Sequence, residues 1–241
     1  MLISHAYKFI FFSQGKAASS TVEDLLWRYN DDPRILLTNY KQKLFRKKAG
    51  YSGYGTKGRY RSPLPGLTYS KRPNASEHAV PSVVRPELDW IFDAYFKIGF
   101  VRNPWDWVVS CFDFNNAHNF VGSEEPTLGV NEVKWVHGKM HAFRKGLKTR
   151  TCYQYAFLSD SLDGKGDIVM DYVGRVETLA DDVVKICGIL QLDPIDPKTI
   201  GNLNSREPKR RSYQERYTVD AADLVYDLYQ KDVEYFKYTF D

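Results

Sequence analysis

The segment that most restricts the architecture is Tyr7 to Leu26, YKFIFFSQGKAASSTVEDLL. The apolar, β-rich run Tyr7–Phe12 predicts a strand, and a helical pattern follows over Ala18–Tyr29 with Ser20 and Thr21 in its first turn. Between them lies a small-residue turn holding Gly15 and Lys16. A strand that passes straight into a helix must return to its sheet by a crossover, which favours parallel pairing. The same three parts can cradle a phosphate. Backbone N–H groups at a helix N-terminus attract anions, and a lysine adds a full charge. From these residues alone, an ordinary βα turn with a solvated lysine is an equal alternative. An ATP-binding Walker A loop is disfavoured, because its first glycine and its Mg²⁺-binding hydroxyl would stand where Ile10 and Ala17 are.

A second segment, Ala94 to Phe112 (AYFKIGFVRNPWDWVVSCF), repeats the arrangement. Tyr95–Val101 predicts a buried strand, Arg102 stands at its end, and Asn103-Pro104 opens a helix over Pro104–Ala117 with proline at its first position. Ser110 lies eight residues after Arg102, about two turns into that helix. A strand-end arginine can fork onto a phosphate, and a helical serine can donate to the same group. The alternative is an arginine paired with Asp106 and a serine in a packed helix.

The remaining pattern alternates strands and helices. Ile35–Thr38 predicts a short strand. Pro81–Phe92 predicts a helix broken at Pro86, and Val130–Phe143 has mixed helical character. Ile168–Gly174 predicts a strand, Leu179–Leu190 a helix, and Asp220–Phe236 a last helix capped by Thr218. The expected fold class is α/β, three layers with a central, mostly parallel sheet flanked by helices. Ligands of such sheets bind beyond the carboxyl ends of the strands, where Lys16 and Arg102 both fall. No internal repeat or second domain is evident in the 241 residues. No apolar stretch approaches the ~20 residues that span a bilayer, and no signal-peptide pattern precedes the first strand, so a cytoplasmic protein is expected.

The three cysteines, Cys111, Cys152 and Cys187, show neither metal-ligand spacing nor a disulfide framework and read as buried thiols. His137 and His141, four residues apart, lack an obvious third ligand and read as a surface pair. Charge is uneven. From Pro33 to Ser76 there is no Asp or Glu but eleven Lys and Arg residues, punctuated by Gly50, Gly53, Gly55 and Gly58 and by Tyr51, Tyr54 and Tyr60. A basic, flexible insertion at about 39–76 is therefore expected, either a flap that recognises an anionic or sugar-like acceptor or a solvated loop. A second basic cluster, Arg206, Lys209, Arg210 and Arg211, precedes the last helix.

Gly15-Lys16-Ala17-Ala18-Ser19-Ser20-Thr21 together with Val101-Arg102-Asn103-Pro104-Trp105-Asp106-Trp107-Val108-Val109-Ser110 resembles the sulfotransferases that use 3′-phosphoadenosine-5′-phosphosulfate (PAPS). The nearest branch holds Golgi carbohydrate sulfotransferases and many bacterial relatives. Asp171–Leu179 and Tyr213–Phe240 extend the likeness along most of the chain. The loop departs from the branch's Pro-Lys-Thr-Ala-Gly-Thr-Ser form, with Gly15 for proline and Ser19 for glycine. The resemblance implies a single sulfotransferase domain of P-loop-like fold, with no metal. It implies that Gly15, Lys16, Ala17, Ala18, Ser19, Ser20, Thr21, Arg102 and Ser110 bind the donor, with Arg206, Arg210 and Arg211 folding over the nucleotide. Lys16 would stabilise charge growing on the departing phosphate oxygen. His78 is the candidate base, with Glu77 and His118 as alternatives, and Arg175 is a lesser candidate for a ligand contact. The acceptor is expected to be a hydroxyl or amine, carried by a carbohydrate or a small metabolite. Two other functions stay open on the sequence: a nucleotide-dependent phosphotransferase, and a noncatalytic polyanion-binding module.

Overall fold

The computed structural model describes residues 1–31, 60–61, 68–69, 80–116, 125–146, 154–161, 163–200 and 211–241. Ile35–Thr38, most of the basic insertion, Glu77, His78, His118, Cys152, Arg206 and Arg210 lie outside them.

β1 (Leu2–Ser4) and β2 (Phe9–Phe12) precede α1 (Ser19–Leu26), which tightens into a 3₁₀ turn at Trp27–Tyr29. Then come the two-residue strands β3 (Tyr60–Arg61) and β4 (Thr68–Tyr69), α2 (Pro81–Leu88), α3 (Trp90–Ala94), β5 (Phe96–Val101) and α4 (Pro104–Asn116). The chain continues through α5 (Val130–Gly146), α6 (Gln154–Leu158), β6 (Tyr172–Arg175), α7 (Leu179–Ile189) and α8 (Val219–Phe236). The main sheet runs β1-β2-β5-β6, with β1 antiparallel and the other pairings parallel, while β3 and β4 pair with each other. The expected mixed α/β architecture with a mostly parallel sheet is present.

The parallel strands read as continuous apolar runs because both faces of the sheet are covered. Phe11 stands opposite Ile98, and Phe100 opposite Gly174. One core unites β1, β2, Ile98 and Phe100 with Val22 and Leu26 of α1, Val84 and Leu88 of α2, and Val183 and Ile186 of α7. A second core joins Val101 to Trp107 and Val108 of α4, Leu158 of α6, and Val225 and Tyr229 of α8. The Tyr172 hydroxyl donates to Asp182 at 2.7 Å and so ties β6 to α7. Burial pushes the Asp182 carboxyl up, but bonds from the Arg175 N–H, the Tyr172 hydroxyl and the Thr178 hydroxyl outweigh it and hold the group below its ordinary value.

Three local expectations need correction. The chain between α2 and β5 does not break at Pro86. α2 runs through that proline, anchored by the fully buried Val84 and Leu88, and the turn comes at Asp89 with φ 50° and ψ −133°. Proline forfeits one helical hydrogen bond, whereas Asp is among the residues that tolerate positive φ. The third parallel strand begins at Tyr172, not Ile168. Ile168 bridges Ser159, and the Val169 N–H donates to the Leu158 carbonyl at 3.0 Å, so these residues serve the end of α6 instead. Thr218 occupies the N-cap of α8, but its side chain makes no capping bond. β1 and α6 were not anticipated, being too short for periodicity to register.

Phe100 and Gly174 show how closely the strands are fitted. A Cβ at Gly174 would lie 2.4 Å from Cε1 of Phe100, a ring that is 1% exposed and packed edge-on against Phe11. Gly174→Ala is expected to lower the unfolding free energy by about 1–3 kcal/mol in urea titration. An unchanged midpoint would mean that the ring can move aside.

Candidate functional site

The turn after β2 is tight and strained. Ser13 and Gln14 leave the strand buried, and the Ala17 N–H closes back onto the Gln14 carbonyl at 3.3 Å. Lys16 (φ 65°) and Ala18 (φ 55°) are both left-handed. Neither is glycine, so each costs about 1–2 kcal/mol. Ala18 is the N-cap of α1 and has no side-chain capping bond. The first intrahelical bond is Val22 N–H to Ala18 carbonyl at 3.0 Å, which leaves the N–H groups of Ser19, Ser20 and Thr21 ahead of it. That geometry suits an anion. Of the loop's side chains, Ala17 and Thr21 are buried, Gly15, Lys16, Ala18 and Ser19 are half-buried, and Ser20 is exposed.

Arg102 stands immediately past β5. Its backbone is gripped from both sides by Gln154: its N–H donates to Oε1 at 2.9 Å, and its carbonyl accepts from Nε2 at 2.7 Å. Its guanidinium donates through Nε to Asp106 at 2.6 Å and through Nη1 to the Lys16 carbonyl at 3.4 Å. Asn103 opens α4. Its Oδ1 accepts from the Trp105 N–H at 3.1 Å, and its Nδ2 donates to the Thr239 carbonyl at 2.8 Å. One turn on, Trp107 Nε1 donates to the Gly15 carbonyl at 3.0 Å. Two successive loop carbonyls are thus bound by the β5–α4 element.

Asp106, Ser110 and Phe114 follow at four-residue spacing and form one stripe of α4. Lys16 Nζ lies 4.4 Å from the centroid of Phe114, which sets the lysine along the stripe that includes the half-buried Ser110. The structure therefore brings Lys16, Arg102 and the Ser110 face of α4 together at the carboxyl edge of β2 and β5. It also shows the Arg102–Asp106 pair, the pairing that the sequence offered as the alternative to a phosphate contact.

Other candidates are placed differently. Arg175 donates through Nη2 to the Phe236 carbonyl at 2.5 Å and stacks over Tyr238 at 4.6 Å, which ties it to the end of the chain's last helix. Arg211 is exposed, its bonds running to Glu125 at 3.0 and 3.2 Å and to the Glu215 carbonyl. His137 and His141 share a face of α5 with ring centroids 4.9 Å apart, and His137 contacts the Tyr229 hydroxyl at 3.3 Å. Burial, with the neighbouring His141, holds the His137 ring below its ordinary pKa. Among the described residues no group of three His, Cys, Asp or Glu side chains could hold a metal. Cys111 and Cys187 are buried free thiols, as expected.

Sequence reasoning missed several supporting residues. Trp107 lay inside the quoted arginine block, and its spacing from Asn103 was the available signal. Glu177 accepts from the Asn103 N–H at 2.6 Å and from the Tyr238 hydroxyl at 3.1 Å. Burial, with the Glu177 charge beside it, pushes the Tyr238 phenol well above its ordinary value. Gln154 had no local signal.

Trp107→Phe keeps the ring against Tyr229 but removes the bond to the Gly15 carbonyl. A loss of about 1 kcal/mol in unfolding free energy is expected by urea titration. No loss would show that the loop holds its shape without this bond.

The chain matches the sulfotransferase family over residues 1–239 and belongs to that family. No curated protein and no solved structure matches it.

Proposed function

From membership of the sulfotransferase family, we propose that this chain transfers a sulfuryl group from PAPS to a hydroxyl or amine of a carbohydrate or small metabolite. The observation that carries the reading is the Arg102 contact with the Lys16 carbonyl at 3.4 Å, which joins the anion-seating loop and the strand-end arginine into one site. The loop and helix start fit the phosphosulfate end of the donor. Three leading N–H groups precede the first helical bond, and the loop carbonyls of Gly15 and Lys16 are held by Trp107 and Arg102. Arg102 and Ser110 fit its second phosphate, since the guanidinium is bonded to Asp106, one turn before Ser110 on the same stripe of α4.

When bound, PAPS supplies an electrophilic sulfur and a phosphate leaving group. The protein's own tasks follow from that chemistry. The N–H groups at the start of α1 and the Lys16 ammonium stabilise the charge that grows on the bridging oxygen. The strain at Lys16 and Ala18 is already present in the folded loop, so no rearrangement of backbone dipoles is needed at that moment. A base must take the acceptor's proton; His78 is our choice, and a histidine has a suitable intrinsic pKa. A kinase-like phosphotransferase fits less well. Asp171, immediately before β6, pairs with Lys97 at 2.8 Å where that strand enters the sheet, the edge opposite the loop.

Calorimetric titration should show that the wild-type chain binds PAP, the desulfated donor, well ahead of ATP. Arg102→Ala should weaken PAP about 10- to 100-fold, the worth of hydrogen bonds to a charged group. Failure of the wild type to bind PAP would overturn the donor assignment. His78→Ala should lower kcat by about 10²- to 10⁴-fold with PAP affinity kept. Near-normal turnover would remove His78 from the base role.

A further inference from the structure

Phe114 is 66% exposed at the far end of α4, yet one face of its ring is covered by the Lys16 ammonium at 4.4 Å. Ser110 lies one turn before it on the same stripe of the helix. An ammonium over an aromatic face is held by the ring's quadrupole, at a worth comparable to a surface ion pair. Among the described residues Phe114 belongs to neither core.

We propose that Phe114 is a positioning residue for the transfer reaction: it seats the Lys16 ammonium in the unliganded protein, and the donor must draw the lysine off this ring to engage it. This rests on the donor reading above. The ammonium has one position at a time, so the ring competes with the donor's anionic groups for it. The seat therefore weakens donor affinity while keeping the lysine extended beside Ser110 rather than dispersed in solvent. It also leaves the ring face uncovered only after the donor has taken the lysine.

The test is PAP titration of the full chain in four forms: wild type, Phe114→Leu, Lys16→Ala and the double variant. If the seat competes, Phe114→Leu binds PAP about two- to five-fold more tightly than wild type, the gain expected for releasing one exposed cation–π contact. In the Lys16→Ala background the same change has no effect, because the lysine that links the two is gone. A 4-fluorophenylalanine placed at 114 should shift its ¹⁹F resonance when PAP is added. If the wild type binds PAP but Phe114→Leu binds it equally or more weakly, the seat is overturned; an effect that persists without Lys16 overturns it as well. If the wild type does not bind PAP, the donor reading falls first and the seat with it.

Discussion

The site depends on a single buried amide. Gln154 closes two hydrogen bonds on the backbone of Arg102, one to its N–H and one from its carbonyl, at the point where β5 stops pairing and α4 has not begun. A strand end of this kind has polar groups that the sheet no longer satisfies, and leaving either buried and unpaired would cost about 1–3 kcal/mol. Gln154 is itself held. Asp232, fully buried in α8, accepts from the N–H groups of Gln154 and Tyr155 at 2.7 Å each, a cap supplied to α6 by another helix. The position of Arg102 is thereby fixed by α8, more than a hundred residues later in the chain.

From Arg102 the constraint passes to the loop. Two left-handed non-glycine residues in three positions do not persist on local preference, so something must hold them. The bonds to the Gly15 and Lys16 carbonyls do this from outside the loop, one from an indole and one from a guanidinium. Their donors sit on one rigid element, the junction of β5 and α4, and the loop shape is set by the sheet rather than by its own sequence. That accounts for a left-handed turn that has no glycine at Lys16 or Ala18.

The legible part of the molecule was the local part. Tyr7–Phe12 and Tyr95–Val101 announced themselves as apolar runs, Pro104 as a helix start, and Lys16 and Arg102 as residues just past strand ends. The pairing of Arg102 with Asp106 was legible too, being a four-residue spacing. What stayed hidden was whatever depends on distant partners. Gln154 carries no periodic or motif signal, and the family-like segments that hold Asp232 and Glu177 do not reveal that these side chains meet the backbone of Gln154 and Asn103 across the fold. β1 offers only three residues to a pattern that needs more, and the start of β6 was misplaced because Ile168 and Val169 have strand-like side chains but spend their backbone on α6.

The two described thiols belong to separate cores, Cys111 with α4 and α8, and Cys187 with α1, α7 and the sheet. A disulfide needs Cα atoms within about 7 Å, so joining this pair would mean dismantling both cores. Burial also pushes the Cys187 thiol up, away from the reactive thiolate. A change in the surrounding redox potential therefore finds no switch in this pair.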